Sequence, residues 1–145
     1  MAGILINLNG DKEIFNNLML MKEKLKTRVI EEVKAGILNL ETSAKRDCPV
    51  DMGTLRNSIH KDETLSGSSY VGVVGSDLPY APYVEFGTGG KVSIPFGYED
   101  FASQFWSHNE NWIGMNPHPY LIPNFEAERE KVKQAIKNLM QNVKS

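Results

Sequence analysis

The chain has 145 residues, of which 41% are hydrophobic and 23% charged, as in an ordinary globular protein of one domain. Its 16 basic and 18 acidic residues give a formal net charge of −2, which argues against a nucleic-acid-binding protein with a basic face. Cys48 is the sole cysteine, so an intramolecular disulfide is excluded and a reducing compartment is expected. The N-terminal segment lacks the pattern of a signal peptide, and no apolar run approaches the roughly 20 residues that span a bilayer. We therefore expect a soluble chain that is made in the cytosol and has no membrane partner.

The first third of the sequence predicts a short strand and then a long helix. Residues 4–8 are β-prone and end at a turn signal, in which Asp11 is a candidate N-cap. Apolar residues then recur every three or four positions, which predicts one buried helical stripe. The stripe consists of Ile14, Leu18, Met21, Leu25, Val29, Val33, Ile37, Leu40 and Ala44. A continuous helix over 12–46 would be about 50 Å long, so we expect either a break near 21–27 or a helix that projects.

A proline and a glycine punctuate the chain after this helix. Pro49 moves the residue before it out of helical geometry, and Gly53 permits a positive φ. A short turn or helix is expected over 54–58. The runs 59–65 and 70–75 then flank a Ser/Gly turn, which predicts an antiparallel hairpin. Two glycines in the second run, at positions 72 and 75, predict a bulge or a close backbone approach.

The stretch over 91–119 shows no strand or helix period but is rich in aromatic residues. These are Phe96, Tyr98, Phe101, Phe105, Trp106 and Trp112. Long loops in compact domains are usually functional or disordered, and the aromatic content argues against disorder. Two interpretations stay open at this point: a satellite core under a long loop, or an exposed arm that docks onto a partner.

A terminal helix is predicted after Pro123. One face carries Phe125, Val132, Ile136, Leu139 and Val143. Asn124 is a candidate cap, and Glu126 and Glu128 would lie favourably in the first turn. The whole pattern predicts a single α+β domain over 1–145.

Catalytic and metal-binding patterns are weak in this sequence. No histidine pair has the spacing of a helical zinc site, and Cys48 is expected to be a small buried hydrophobe at the end of a helix. A loop group could combine into a metal site of mainly oxygen ligands, which would make the chain a small metal-dependent hydrolase. That group is Glu99, Asp100, His108 and Glu110. A DNA-binding accessory protein is the other alternative, although Arg56, Lys61 and Lys91 are too scattered to form a basic stripe.

Three segments in order resemble one known family. Ala44–Ile59 is similar to the signature A-P-V-D-T-G-x-L-R-x-S-I that follows the long helix in tail-completion, or tail-to-head joining, proteins of long-tailed bacteriophages. Tyr80–Thr88 resembles that family's Y-A-x-Y-V-E-F-G-T, and Pro117–Pro123 resembles its R-P-F-L-x-P lead-in to a terminal helix. The resemblance extends over about residues 10–140. This sequence departs from the pattern at Cys48, at Met52 and in a longer, more aromatic insertion before Pro117.

The resemblance implies a fold in which a long N-terminal helix packs on a small antiparallel sheet, and the residue pattern adds a C-terminal helix and a long aromatic-rich loop. It implies a structural neck protein that is not an enzyme and needs no cofactor or metal. It further implies a homo-oligomeric ring that contacts the head-completion (stopper) protein and the tail tube or tail terminator protein, with DNA passing through the lumen without specific binding. The virion would be its location.

The residues that the resemblance assigns to assembly lie in its first two segments. They are Pro49, Val50, Asp51, Gly53, Leu55, Arg56 and Ser58, followed by Tyr80, Ala81, Tyr83, Val84, Glu85, Phe86, Gly87 and Thr88. Physical reasoning gives several of them roles of their own. Gly53 and Gly87 are expected at turns of positive φ, and Arg56 and Glu85 could pair within a subunit or across the ring. Side chains expected to anchor the sheet to the helix are Leu55, Ile59, Tyr83, Val84 and Phe86.

Overall fold

The computed structural model describes residues 5–9, 23–51, 53–67, 69–103 and 111–143. Its strands are β1 (Leu5–Asn9), β2 (His60–Ser66) and β3 (Ser69–Gly75). Its helices are α1 (Glu23–Asp47), α2 (Thr54–Ser58), α3 (Ala81–Phe86), α4 (Glu99–Ala102) and α5 (Ile122–Val143), with a 3₁₀ turn at Gly89–Lys91. The α+β class with a long helix, a small antiparallel sheet and a C-terminal helix is therefore confirmed. No helix in the part of the chain described here is long and apolar enough to cross a membrane.

Helix α1 buries the apolar stripe that its sequence predicts. The buried members are Leu25, Val29, Val33, Ile37, Leu40 and Ala44. Gly36 lies inside the helix without ending it. The N-terminal part of the predicted helix, with Ile14, Leu18, Met21 and the candidate cap Asp11, lies outside the described residues, so the expected break near 21–27 is not tested over that part.

The sheet has the order β1-β3-β2 and is antiparallel throughout, which confirms the predicted hairpin of β2 and β3. Alternate residues of β3 face α1, and Tyr70 and Val74 on that face are buried. Gly72 lies between them, where an added Cβ would come within 2.4 Å of Ile37 Cγ1. The expected close approach at Gly72 is thus confirmed: the glycine lets the helix lie directly on the central strand.

Helix α5 packs on another side of α1. A Cβ at Gly36 would lie 2.4 Å from Val132 Cγ2, so the two helices also touch closely at a glycine. Phe125 and Ile136 of α5 are buried, and its partly buried residues Val132 and Leu139 pack against the same core. Helix α1 is therefore covered by the sheet and by α5, and the core lies along it.

The start of α5 differs from the sequence prediction. The helix begins at Ile122, ahead of Pro123, so Asn124 is inside the first turn and the prediction that it caps the helix is wrong. Asn124 Nδ2 instead donates to Tyr120 O at 2.8 Å and to Asp47 Oδ2 at 2.9 Å. Glu126 and Glu128 correspondingly lie beyond the first turn, so their predicted place within it is also wrong. The start of α5 is capped by the side chain of Glu85, which is distant in the sequence.

Candidate assembly surface

The corner between α1 and α2 is shaped by Pro49 and Gly53. Cys48 N donates to Ala44 O at 2.9 Å, which continues the helical hydrogen bonding just past α1. Gly53 then adopts a φ of 71°, which confirms its predicted positive φ, and its carbonyl accepts from Asn57 N at 2.9 Å. The corner turns the chain sharply back so that α2 lies against α1.

The three segments that resemble the family, Ala44–Ile59, Tyr80–Thr88 and Pro117–Pro123, are called the first, second and third motifs below. Two polar side chains of the first motif hold this corner together. Arg56 Nε donates to Lys45 O at 2.9 Å, so it satisfies a carbonyl at the C-terminal end of α1. Ser58 Oγ donates to Leu55 O at 2.6 Å and is hydrogen-bonded to Ser76 Oγ at 2.7 Å. Ser58 thereby joins the first motif to the segment that leads from β3 into α3.

The second motif forms α3 and ends at a glycine that no other residue could replace without strain. Gly87 has a φ of 80° and a ψ of −178°, a conformation essentially restricted to glycine, and this confirms its predicted positive φ. A Cβ there would lie 2.8 Å from Met115 O and 2.9 Å from Pro117 N. The glycine is required both by its own backbone and by the segment that packs on it.

The segment that contains Met115 and Pro117 is held beside α3 by hydrogen bonds. Thr88 N donates to Met115 O at 3.0 Å, and Thr88 Oγ1 accepts from Met115 N at 2.8 Å. His118 N donates to Val84 O at 2.8 Å. The third motif, Pro117–Pro123, is therefore placed beside the second, although about thirty residues separate them along the chain.

Glu85 connects the same two motifs through a buried carboxylate. Its Oε2 accepts from Tyr120 N at 2.9 Å and from Leu121 N at 3.0 Å, and its Oε1 accepts from Ile122 N at 2.9 Å. These N–H groups are at the N-terminal end of α5, where no helical partner exists and a negative charge is favoured. Glu85 is only 2% exposed, so burial raises the pKa of its carboxyl, while the three N–H donors act to lower it.

These contacts correct one sequence prediction. Within the subunit Arg56 and Glu85 do not form an ion pair, because Glu85 accepts from the start of α5 and Arg56 Nε donates to Lys45 O. Sequence reasoning missed the capping role of Glu85. The available signal was its place one helical turn after Ala81, on the buried face of α3, together with the absence of a capping side chain just before Ile122.

The other predicted anchors are divided between the core and the surface. Leu55, Ile59 and Phe86 are buried, and Val84 is half-buried against the core. Tyr83 is half-buried but lies outside the core cluster. Cys48 is buried, as expected of a small hydrophobe, and burial raises the pKa of its thiol.

The three motifs together line one open groove, called the motif groove below, with a cavity volume of about 500 Å³. Its lining residues are Pro49, Val50, Asp51, Gly53, Thr54, Leu55, Tyr80, Val84, Met115 and His118. Val50 is 54% exposed, Tyr80 42% and Met115 41%, so large apolar side chains face the solvent here. Exposed apolar surface gathered in a concave place is typical of a binding surface.

Part of the aromatic stretch packs as a satellite core, and another part is exposed. Tyr98 and Phe101 pack against the core, and the Phe101 ring lies edge-on to that of Phe86 at 6.4 Å. Phe96 and Trp112 are exposed. Phe105 and Trp106 lie outside the described residues. The stretch is thus part satellite core and part exposed surface.

The candidate metal ligands are only partly described. Glu99 Oε2 accepts from the backbone N of Gly97 at 2.8 Å, and Asp100 follows it in α4. His108 and Glu110 lie outside the described residues. Among the residues that the structure does describe, no group of three or more His, Cys, Asp or Glu side chains could hold a metal ion.

Residues 12–87, more than half of the chain, match the family model described as "Bacteriophage HK97-gp10, putative tail-component". The chain belongs to the HK97-gp10-like family. The protein is accordingly a bacteriophage tail component and a part of the virion. No curated protein and no solved structure matches it.

The region that matches the HK97-gp10-like family ends at Gly87. It therefore includes the corner and α3, which form two of the three walls of the motif groove. The third wall, with Met115 and His118, and the aromatic stretch lie beyond the match. The groove therefore combines residues inside the matched region with residues beyond it.

Proposed function

We propose that this tail component forms a homo-oligomeric ring at the head–tail interface of the phage. The ring joins the head-completion (stopper) protein to the tail tube or tail terminator protein and leaves a channel through which DNA passes. The observation that supports this function is the motif groove: the family's motif residues meet at an exposed apolar surface suited to binding protein.

The chemistry of the groove favours assembly over catalysis. Among the residues described, its lining contains one carboxylate, Asp51, and one imidazole, His118, whereas most of the other side chains are apolar. Tyr80 and Met115 are residue types that are enriched at the centres of protein interfaces. A ring subunit needs such surfaces on more than one side, because each copy contacts neighbours in the ring and partners above and below it.

The charge of the chain is compatible with a DNA channel. A formal charge of −2 gives no general attraction for the phosphate backbone, and a channel must let DNA slide instead of gripping it. This supports passage through a lumen and disfavours a DNA-binding accessory protein, whose affinity would fall steeply with salt.

The proposal is tested by removing the gene product during phage assembly. We expect DNA-filled heads and separate tails when the chain is absent, and joined particles when the wild-type chain is supplied in trans. Electron microscopy of the lysate distinguishes these outcomes, and antibody labelling of purified virions locates the chain at the neck. Normally joined particles that lack the chain would contradict the proposal.

A further inference from the structure

We infer that the motif groove receives Phe96 of a second copy of this chain, so that successive subunits contact each other head to tail. The inference rests on the proposed ring and identifies the surfaces that would close it. It is supported by the exposure of Phe96, by the apolar lining of the groove, and by the positions of Phe96 and the groove on the fold.

Phe96 is presented to solvent on a defined turn. It is 98% exposed, the largest exposure of any large hydrophobic side chain in the described part of the molecule. Tyr98 N donates to Pro95 O at 3.1 Å, Gly97 has a φ of 90°, and Gly97 N donates to a Glu99 carboxylate oxygen at 2.8 Å. A proline before the aromatic and a glycine after it hold this tight turn, called the Phe96 turn below.

The Phe96 turn is mounted on the body of the protein. The hydroxyl of Tyr98 donates to a carboxylate oxygen of Glu126 on α5. Phe101, a few residues later, packs edge-on against Phe86 of α3. A turn that is fixed at its base loses little backbone freedom when a partner covers its side chain, which favours association.

The motif groove offers a matching receptor. Its cavity volume of about 500 Å³ is ample for a phenyl ring, and its walls include the exposed side chains of Val50, Tyr80 and Met115. An aromatic anchor in an apolar pocket is the usual form of an interface hot spot. The walls formed by the described residues carry no lysine or arginine, so the pocket suits an apolar side chain better than an acidic one.

The turn and the groove lie on opposite flanks of α3. Tyr80 and Val84 line the motif groove. Pro82 and Phe86, on the other flank, line a small cavity together with Ile94 and Ala102, which lie on either side of the Phe96 turn in the chain. Complementary surfaces on opposite flanks favour a head-to-tail series over a reciprocal two-fold contact, and such a series closes into a ring when the rotation permits.

Photo-crosslinking in purified phage particles tests the contact directly. Phe96 is replaced by benzoylphenylalanine, and Leu65, which is 61% exposed on β2, carries the same probe as a control. We expect a cross-linked dimer of the chain whose junction peptides map to residues 49–55, 80–84 or 115–118, and we expect no such product from position 65. Cross-links to another protein or to another surface of the chain would overturn the inference.

Mixing two variants in solution tests the head-to-tail geometry. Phe96→Asp removes the side chain that inserts, and Val50→Asp introduces a charge into the groove while leaving the Phe96 turn intact. Each variant alone should self-associate on the order of thirtyfold or more weakly than wild type, the size of a hot-spot loss. An equimolar mixture should form a dimer and nothing larger, because one good surface remains on each variant.

Sedimentation velocity measures the association state of each variant and of the mixture, and circular dichroism checks that each variant is folded. Leu65→Asp should associate like wild type. Unimpaired association of either variant, or a mixture that stays monomeric while wild type associates, contradicts the contact. Loss in Phe96→Asp alone would show that Phe96 contacts a surface other than the groove. A ring in the virion with cross-links outside the groove overturns only this inference, whereas absence of the chain from virions overturns the proposed function with it.

Discussion

The layer of α1 and the sheet buries most of its large apolar residues, with Leu38 and Leu65 as exposed exceptions. The region called the corner below comprises the α1–α2 corner, α3 and the segment that packs on α3, and it presents several apolar side chains together in one groove. Ile37 and Val74 in the layer are fully buried, while Val50 and Tyr80 at the corner are about half exposed. The layer is held by side-chain packing, and the corner is held by hydrogen bonds and glycine conformations. A surface whose shape is fixed by its backbone can expose apolar side chains without collapsing onto them, which is what a docking groove requires.

The largest effect is expected at Glu85, where the corner depends on one carboxylate. Glu85→Ala leaves three buried N–H groups at the start of α5 without an acceptor, and it should lower the free energy of unfolding by about 3 kcal/mol or more. Denaturant unfolding monitored by circular dichroism measures the change. Glu85→Gln keeps one acceptor oxygen and should lose distinctly less; equal losses would show that the hydrogen bonds are not responsible.

Replacement of Gly87 tests whether the backbone sets the corner. Gly87→Ala should cost about 2–4 kcal/mol, because the residue has a φ that side chains avoid and its Cβ would meet backbone atoms that cannot rotate away. Gly67, in the β2–β3 turn, provides a matched control. Its φ is also positive, at 57°, but nothing lies within 4 Å of an added Cβ. Thermal unfolding of Gly67→Ala should show a smaller loss, and a loss as large as that of Gly87→Ala would contradict the contact argument.

The layer should respond differently, through packing. Gly72→Ala pushes a Cβ against the Ile37 side chain and should cost about 1–3 kcal/mol. Because the obstacle is a side chain, removing it should relieve the strain. The double variant Gly72→Ala/Ile37→Ala should therefore lose less stability than the sum of the two single variants. If the losses in free energy of unfolding measured in urea are strictly additive, the cost of Gly72→Ala does not come from its contact with Ile37.

The stability of the corner should also depend on pH through Glu85. Burial holds the pKa of this carboxyl above its ordinary value of 4.5 in the folded chain. The folded state consequently keeps a proton at pH values where the unfolded state has lost it, so this contribution is complete below 4.5 and is lost as the pH rises through the folded pKa. Wild type should gain stability relative to Glu85→Gln as the pH falls from neutral towards 4.5. A difference that stays constant over this range would contradict the raised pKa.

The smallest effect on stability is expected at the exposed side chains of the groove. Val50→Ser should change the free energy of unfolding by no more than about 0.5 kcal/mol, because the side chain is exposed. Leu55 lines the same groove but is buried, and Leu55→Ala should cost about 2–5 kcal/mol. Calorimetry of the two variants separates the residues that present the groove from those that support it. A large loss of stability in Val50→Ser would show that the Val50 side chain belongs to the core and does not form an exposed wall of the groove.

The sequence predicts the layer well because packing against one partner imposes a period. The stripe of α1, the hairpin and the apolar face of α5 all follow from spacing, and the close approach at Gly72 follows from a glycine inside a strand. Periodicity concerns only neighbours along the chain. It therefore gave the correct faces of the helices but the wrong first residue for α5.

The corner was predictable only in part, since its contacts join distant segments. The positive φ values of Gly53 and Gly87 follow from local turn patterns. The carboxylate of Glu85 caps a helix that begins 37 residues later, a relation that no local pattern contains. The family resemblance marked most of the residues that line the groove, and only the fold shows that Met115 and His118 complete it.

Strand β2 has a further consequence for a protein that must associate with itself. It lies at the edge of the sheet and exposes Asp62 and Glu63, and Lys61 Nζ forms an ion pair with Glu63 at 3.1 Å. Charges along an edge discourage another chain from adding there as a further strand. Uncontrolled growth into fibres is opposed on this side, and the number of copies in an assembly is left to surfaces whose geometry can close.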